Sequence, residues 1–172
     1  EPATYMAILE AIASGASRVT EIANEIDKPA NSLSRYLSNL ERLAIIEKET
    51  PVTDPDGRGV YRLTDQYLRF WFRYVDGREG KLAQLGEDAY EQLVEPTFSD
   101  YMGSMFEIVC QNQLPSLVPK TYQGIGYWWH KQHELDVVGL ASDGTLIAGE
   151  CKYTSREMTE GDLAVIQTPK GA

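Results

Sequence analysis

The chain has 172 residues, of which 42% are hydrophobic and 10% aromatic, and this composition is typical of a folded globular protein and excludes a disordered one. No apolar run approaches the roughly 20 residues of a membrane-spanning helix, and no signal peptide begins the chain, so we expect a cytoplasmic protein without a membrane partner. The formal net charge of −10 is unfavourable for binding nucleic acid, unless basic residues form a local surface.

The first third of the sequence predicts three helices, over residues 5–13, 19–26 and about 31–44. In the third helix, leucines recur at spacings of three and four, which predicts one buried stripe. These residues are Leu33, Leu37, Leu40 and Leu43. The opposite face of the same helix is expected to be exposed, and it carries Asn31, Ser32, Ser34, Arg35, Ser38 and Asn39.

A hairpin is predicted after the third helix, because residues 45–49 and 60–63 flank a turn rich in Pro, Asp and Gly. Three helices followed by a hairpin predict a winged helix-turn-helix domain over residues 1–63. Short polar side chains and Arg on a recognition helix suit base edges and phosphates. We therefore expect DNA contacts from Asn31, Ser32, Ser34 and Arg35, and from Arg58 at the wing tip. A protein–protein module stays an alternative, because Glu41, Asp54 and Asp56 would repel phosphates.

Residues 64–95 are predicted to be a helical linker between this domain and a C-terminal domain at residues 96–172. The first linker helix, residues 64–75, is dense in aromatic residues. An aromatic stripe at helical spacing is typical of a buried surface. We expect Phe70, Trp71 and Tyr74 to be mostly buried between the two parts of the chain.

The C-terminal domain carries an Asp…Glu-x-Lys pattern, formed by Asp136, Glu150 and Lys152 on two adjacent predicted strands. Residues two apart in a strand project from one face, so Glu150 and Lys152 are expected to point together. Two carboxylates can hold a hard cation such as Mg²⁺ or Mn²⁺, which activates a water and neutralises charge at a phosphate. The pattern predicts a metal-dependent phosphodiester-cleaving site.

These residues resemble the PD-(D/E)XK nuclease superfamily at Asp136, Glu150 and Lys152. The resemblance implies an α+β protein in which the winged helix-turn-helix precedes an α/β restriction-endonuclease-like core. It also implies that Glu107, on the first core helix, completes a metal site with Asp136 and Glu150. Catalytic roles would then fall to Asp136, Glu150 and Lys152.

The order of the motifs is similar to the C-terminal region of archaeal AAA+ type ATPases. The matching segments are residues 63–72, Gly103-x-x-Phe106-Glu107, Trp128-Trp129, residues 134–137 and residues 149–152. The resemblance implies an upstream ATPase domain and a longer protein, with a nuclease-like core that is incomplete at its C-terminal end. The chain has no Gly-x-x-x-x-Gly-Lys-Ser/Thr loop, so ATP binding by that route would need the upstream domain.

Three functions are compatible with this sequence. The first is a DNA-binding, metal-dependent endonuclease. The second is a non-catalytic winged-helix module for DNA or protein, with a degenerate nuclease fold. The third is a DNA-binding regulator whose C-terminal part dimerises. The sequence leaves open the DNA structure recognised, the biological process and the oligomeric state.

Overall fold

The structure is a computed structural model that describes residues 2–130, 133–159 and 161. The chain divides into two compact units. The first combines the described part of Glu1–Glu49 with Arg58–Val94, and the second combines Thr50–Gly57 with the described part of Glu95–Ala172. The protein is a mixed α+β chain, in which the sheet-containing unit follows a largely helical one.

Three helices begin the first unit, namely α1 (Pro2–Ala13), α2 (Val19–Glu25) and α3 (Ser34–Arg42), with a 3₁₀ turn at Ala30–Ser32 before α3. The start of α2 is held by Glu21, whose carboxylate accepts 2.9 Å hydrogen bonds from the backbone N–H groups of Ser17 and Arg18. These bonds satisfy donors that have no partner within the helix. They also lower the pKa of Glu21, with the Arg18 N–H bond as the largest cause.

The predicted leucine stripe is confirmed for three of its four members. Leu33, Leu37 and Leu40 are 0%, 2% and 2% exposed and belong to the core of the unit. Leu43 was expected in the stripe, but it is 65% exposed. The reason is that α3 ends at Arg42, and two residues later Ala44 turns the chain with a positive φ of 53°.

The hairpin is confirmed, with β1 (Ile46–Glu49) antiparallel to β2 (Val60–Leu63) and Ile46 opposite Leu63. After it come α4 (Gln66–Tyr74), α5 (Glu79–Leu85), a 3₁₀ turn at Gly86–Asp88 and a π-helical turn at Tyr90–Val94. Asp65 caps α4 by accepting from the Leu68 N–H at 3.1 Å.

The expectation that the α4 aromatic residues are mostly buried is confirmed for Tyr74, which is 3% exposed, and Phe70 and Trp71 are partly buried. Trp71 packs against the core of the first unit, and its ring stacks beside Tyr67 with a centroid distance of 6.2 Å. Phe72, which was not in the expected set, is 4% exposed and belongs to that core. Burial of these side chains between the two parts of the chain stays a prediction.

The second unit consists of α6 (Glu95–Leu117) and the antiparallel sheet β3-β4-β5, formed by Tyr122–His130, His133–Ala141 and Leu146–Gly149. The central strand β4 pairs with β5 in a register that sets Val137 opposite Gly149 and Val138 opposite Ala148. Val138 is 0% exposed, so this part of the sheet lies in the core of the unit.

The segment Thr50–Gly57 completes the outer side of β3. Its Val52 N–H donates a 3.0 Å hydrogen bond to the Tyr127 carbonyl. The approach is close, because a Cβ at Gly126 would lie 3.3 Å from a Val52 methyl group, and one at Gly124 would lie 3.6 Å away. Glycines on β3 therefore make room for this segment.

The last strand is shorter than predicted. The sequence predicts a strand that continues through Lys152, but β5 ends at Gly149 and residues 150–154 have no regular secondary structure. In the part of the chain that the structure describes, no helix has the length and apolar character needed to cross a membrane.

Candidate functional site

The outer side of the α3 region presents the predicted DNA-contacting residues. Asn31, Ser32, Ser34 and Arg35 are exposed, while Leu33 between them is buried in the core. The Arg35 guanidinium lies 5.4 Å from the centroid of the Tyr36 ring, and the Ser32 hydroxyl donates to the Pro29 carbonyl at 2.7 Å. Exposed polar groups on one side of a helix and leucines on the other give the arrangement that a recognition helix requires.

Asn39 was expected on the exposed face, but it is half-buried. Its side-chain amide donates a 2.7 Å hydrogen bond to the Tyr5 hydroxyl on α1. Asn39 also accepts from Arg42 at 3.2 Å. These bonds give Asn39 a structural role, namely to fix α3 against α1.

Arg58, the predicted wing contact, is exposed just before β2. The exposed carboxylates Asp54 and Asp56 precede it in the chain. They are two of the carboxylates that were expected to repel phosphates.

Asp136 lies within β4, and Glu150 follows the end of the neighbouring strand β5. Asp136 comes one residue before Val137 on β4, and Glu150 comes one residue after Gly149, the residue opposite Val137. The Cys151 N–H donates a 2.8 Å hydrogen bond to Asp136 Oδ2. The turn of the chain after β5 is thereby fixed to the Asp136 carboxylate.

The pKa of Asp136 is raised, as expected for a half-buried carboxylate with a second carboxylate, Glu150, beside it. Burial is the largest cause that raises the pKa of Asp136, and the charges of Glu150 and Glu134 raise it further. The Cys151 N–H bond and the Lys152 ammonium act in the opposite direction. Burial therefore contributes more to the raised pKa of Asp136 than repulsion from the neighbouring carboxylates does.

Lys152 and Glu150 form an ion pair, with 2.7 Å between Lys152 Nζ and Glu150 Oε1. The Glu150 side chain is 9% exposed and the Lys152 side chain 43%. The two side chains lie together as predicted, although no strand carries them. In this pair the Lys152 ammonium is the more exposed partner and the Glu150 carboxylate is the more buried one.

Glu107 lies on α6, and Tyr127 donates a hydrogen bond of 3.2 Å from its hydroxyl to Glu107 Oε2. Its charge also acts on the Cys151 thiol, whose pKa is raised first by burial, then by a hydrogen bond with Cys110, and by the charges of Asp136 and Glu107. Glu107 therefore lies near the Cys151 thiol.

Among the described residues, no group of three or more His, Cys, Asp or Glu side chains is arranged to hold a metal ion together. The metal-ligand roles of Asp136, Glu150 and Glu107 stay predictions. The two carboxylates Asp136 and Glu150 fit Mg²⁺ in their chemistry, because this cation is commonly held by one or two carboxylates and keeps several waters.

In a comparison with known proteins, both parts of the chain match a family or domain model. Residues 71–163 match the DUF234 family, which is described as "Archaea bacterial proteins of unknown function". The chain belongs to this family. Residues 5–50 match the IclR helix-turn-helix domain, so the DUF234 chain carries a helix-turn-helix DNA-binding domain before its family-specific part.

A curated relative of this DUF234 chain is an uncharacterized protein of Methanocaldococcus jannaschii, which is 33% identical over 148 residues. The match covers 81% of the chain but 33% of the relative, so the chain spans about a third of that protein's length. No solved structure matches the chain.

Sequence reasoning missed the contacts of the two cysteines and the role of Asn39. Cys110 and Cys151 are 41 positions apart (151 − 110 = 41), and no sequence pattern joins them. The partial burial of Asn39 could have been predicted from its position beside the buried Leu40, because this position lies at the border of the exposed face of α3.

Proposed function

We propose that this chain is the DNA-binding and nuclease-like part of a longer protein. The helix-turn-helix unit would contact duplex DNA through α3. The sheet-containing unit would cleave phosphodiester bonds with Mg²⁺ or Mn²⁺ held by Asp136 and Glu150. The observation that carries this proposal is the strand register, which sets Asp136 on β4 beside Glu150 just after β5, with an ammonium 2.7 Å from Glu150.

Support for DNA binding comes from the helix-turn-helix match and from the exposed residues of the α3 region. Arg35 would contact phosphate or a guanine edge, and Asn31, Ser32 and Ser34 would donate or accept hydrogen bonds in the major groove. Arg58 would add a phosphate contact.

The roles at the cleavage site follow from the chemistry of each group. Asp136 and Glu150 would hold the cation, with Glu107 assisting from α6. A bound divalent cation supplies an activated water and neutralises charge on the phosphate. Lys152 would leave its ion pair with Glu150 and stabilise the charge that develops on the phosphate oxygens. Half-burial of Asp136 strengthens these interactions, because water screens them less.

The restriction-endonuclease-like fold of this unit is part of the proposal. Its support is the order α6, β3, β4, β5, with Glu107 on the helix, Asp136 on β4 and Glu150 directly after β5. An upstream ATPase domain in the whole protein is a further proposal, which rests on the motif resemblance. The greater length of the uncharacterized relative leaves room for such a domain in that protein.

A non-catalytic DNA-binding module is the second candidate. Two observations favour it, namely that the described residues hold no three-ligand group and that Glu150 is already paired with Lys152. In this alternative, the Glu150–Lys152 ion pair is a structural contact, and the sheet-containing unit only binds nucleic acid or a partner.

A cleavage assay with Mn²⁺ on single-stranded, duplex and branched DNA separates the two candidates. We expect cleavage of at least one substrate, its loss in Asp136→Asn, Glu150→Gln and Lys152→Ala, and its retention in Glu134→Gln. Glu134 is an exposed residue on β4 and lies two positions from Asp136, so this variant controls for the loss of one charge. Cleavage that is equal in all four variants would identify a contaminating nuclease.

Calorimetry with Mn²⁺ alone tests the metal site without relying on the substrate. We expect binding to the unaltered chain and to Lys152→Ala, and none to Asp136→Asn. No binding to the unaltered chain, together with no cleavage, would establish the non-catalytic module.

A further inference from the structure

The two cysteines of the chain meet in the second unit. Cys110 lies on α6 and Cys151 lies two residues beyond β5; both are free thiols and both are half-buried. The two thiols are near one another, because Cys110 is, after burial, the next cause that raises the pKa of the Cys151 thiol.

A second contact between the same two segments supports this arrangement. The rings of Phe106 and Tyr153 pack with a centroid distance of 6.2 Å. Phe106 is one helical turn before Cys110, so both lie on one face of α6. Tyr153 is two residues after Cys151. The α6 face and the segment after β5 therefore touch at two successive points.

Asp136 on β4 bonds to both of the segments that carry the cysteines. Its carboxylate accepts from the Cys151 N–H at 2.8 Å, and its carbonyl accepts from the Gln111 side-chain amide at 2.7 Å. Gln111 is the residue next to Cys110. One residue of the sheet thus positions the segment on each side of the thiol pair.

We propose that Cys110 and Cys151 form a reversible disulfide when the chain meets a low-molecular-weight disulfide oxidant. One cysteine, as its thiolate, attacks the oxidant, which forms a mixed disulfide and releases one small thiol. The second cysteine attacks the mixed disulfide and releases the second small thiol. Two protein thiols are oxidised to one disulfide, and the oxidant is reduced to two thiols.

The bond would link α6 covalently to the residue between Glu150 and Lys152. It would fix the segment that carries the candidate site, and a reducing thiol would release it. This inference does not depend on the catalytic proposal, because it concerns only the two sulfur atoms and their supporting contacts.

The test compares the native chain with the urea-unfolded chain in one buffer of reduced and oxidised glutathione. The chain has 2 cysteines, so any intramolecular disulfide joins Cys110 and Cys151. Unreacted thiols are blocked with N-ethylmaleimide, and the products are resolved by mass spectrometry without reduction. The ratio of linked to reduced chain should be at least about tenfold higher in the native chain, since the fold raises the effective concentration of one thiol at the other.

Cys110→Ser and Cys151→Ser serve as controls, and each should accept at most one glutathione and form no internal link. If either variant fails to fold, the native and unfolded forms of the unaltered chain still decide the question. Equal ratios in the two states would overturn the proposal. So would a native product made mainly of glutathione adducts or of disulfide-linked dimers.

Discussion

The backbone N–H of Cys151 donates a 2.8 Å hydrogen bond to the Asp136 carboxylate. This bond lowers the pKa of Asp136, but burial outweighs it and the pKa is raised overall. Because the folded chain then holds a proton on Asp136 more tightly than the unfolded chain does, ionisation of Asp136 favours unfolding.

Asp136→Asn should therefore change the pH dependence of stability. As the pH rises from the ordinary Asp pKa of 3.8 through the raised pKa, the unaltered chain should lose stability relative to the variant. Asn keeps an oxygen that accepts from Cys151. At neutral pH without metal, the variant should unfold at the same or a higher urea concentration. A lower midpoint at neutral pH would contradict this assignment.

Asp143→Asn provides a control with the opposite sign. The hydrogen bond from Lys120 is the largest cause that lowers the pKa of Asp143, so its contribution to stability is present above the ordinary pKa and is lost in acid. This variant should be slightly less stable than the unaltered chain at neutral pH, and the difference should disappear as the pH falls.

Arg35→Ala should weaken duplex DNA binding without loss of stability, because Arg35 is exposed on the outer side of α3. Removal of one phosphate contact reduces the salt slope of the binding constant by about one. Lys81→Ala, on α5, removes the same charge from an exposed position and should leave the slope unchanged. Fluorescence anisotropy over a salt series measures both. If the two variants behave alike, net charge and not α3 governs binding.

Ala44→Gly should stabilise the first unit. Ala44 has a φ of 53°, and its N–H bonds the Glu41 carbonyl while the Ile45 N–H bonds the Leu40 carbonyl. This is the Schellman arrangement, in which glycine avoids the strain of a left-handed residue. We expect a gain of up to about 1 kcal/mol in unfolding free energy. Ala83→Gly, inside α5, should lose about 1 kcal/mol instead. Thermal unfolding that ranks the two variants in the reverse order would exclude this explanation.

Phe72→Ala should cost about 3–5 kcal/mol of unfolding free energy, because it leaves a cavity in the core of the first unit. The matched change Tyr67→Ala should lower the unfolding free energy by no more than about 0.5 kcal/mol, since Tyr67 is 66% exposed on the same helix. Chemical denaturation measures both values. Similar costs for the two variants would mean that α4 does not pack by its Phe72 face in solution.

The sequence predicted those parts of the fold that depend on local periodicity. The burial of Leu33, Leu37 and Leu40 follows from a spacing of three and four residues, whatever lies opposite the helix. The same rule failed at Leu43, because it contains no information about where the backbone turns. At Ala44 the chain adopts the left-handed conformation, which a sequence predicts at glycine or asparagine and not at alanine.

The candidate site was predictable in its residues but not in its geometry. The proximity of Asp136 and Glu150 follows from antiparallel pairing of two predicted strands. The end of β5 at Gly149 and the pairing of Glu150 with Lys152 depend on three-dimensional packing, which no spacing encodes. In α4, Phe70, Trp71 and Phe72 are all aromatic, so composition alone could not identify Phe72 as the buried one.

The bond between Val52 and Tyr127 makes the sheet-containing unit discontinuous in sequence. Residues 95–172 by themselves would lack Val52, leaving Gly124 and Gly126 uncovered and the Tyr127 carbonyl at an open sheet edge. Open edges recruit strands from other molecules, so the isolated fragment should self-associate. The family match at residues 71–163 also begins after residues 50–57. Eight residues between the two strands of the hairpin thus cover part of a sheet whose own strands begin more than sixty residues later.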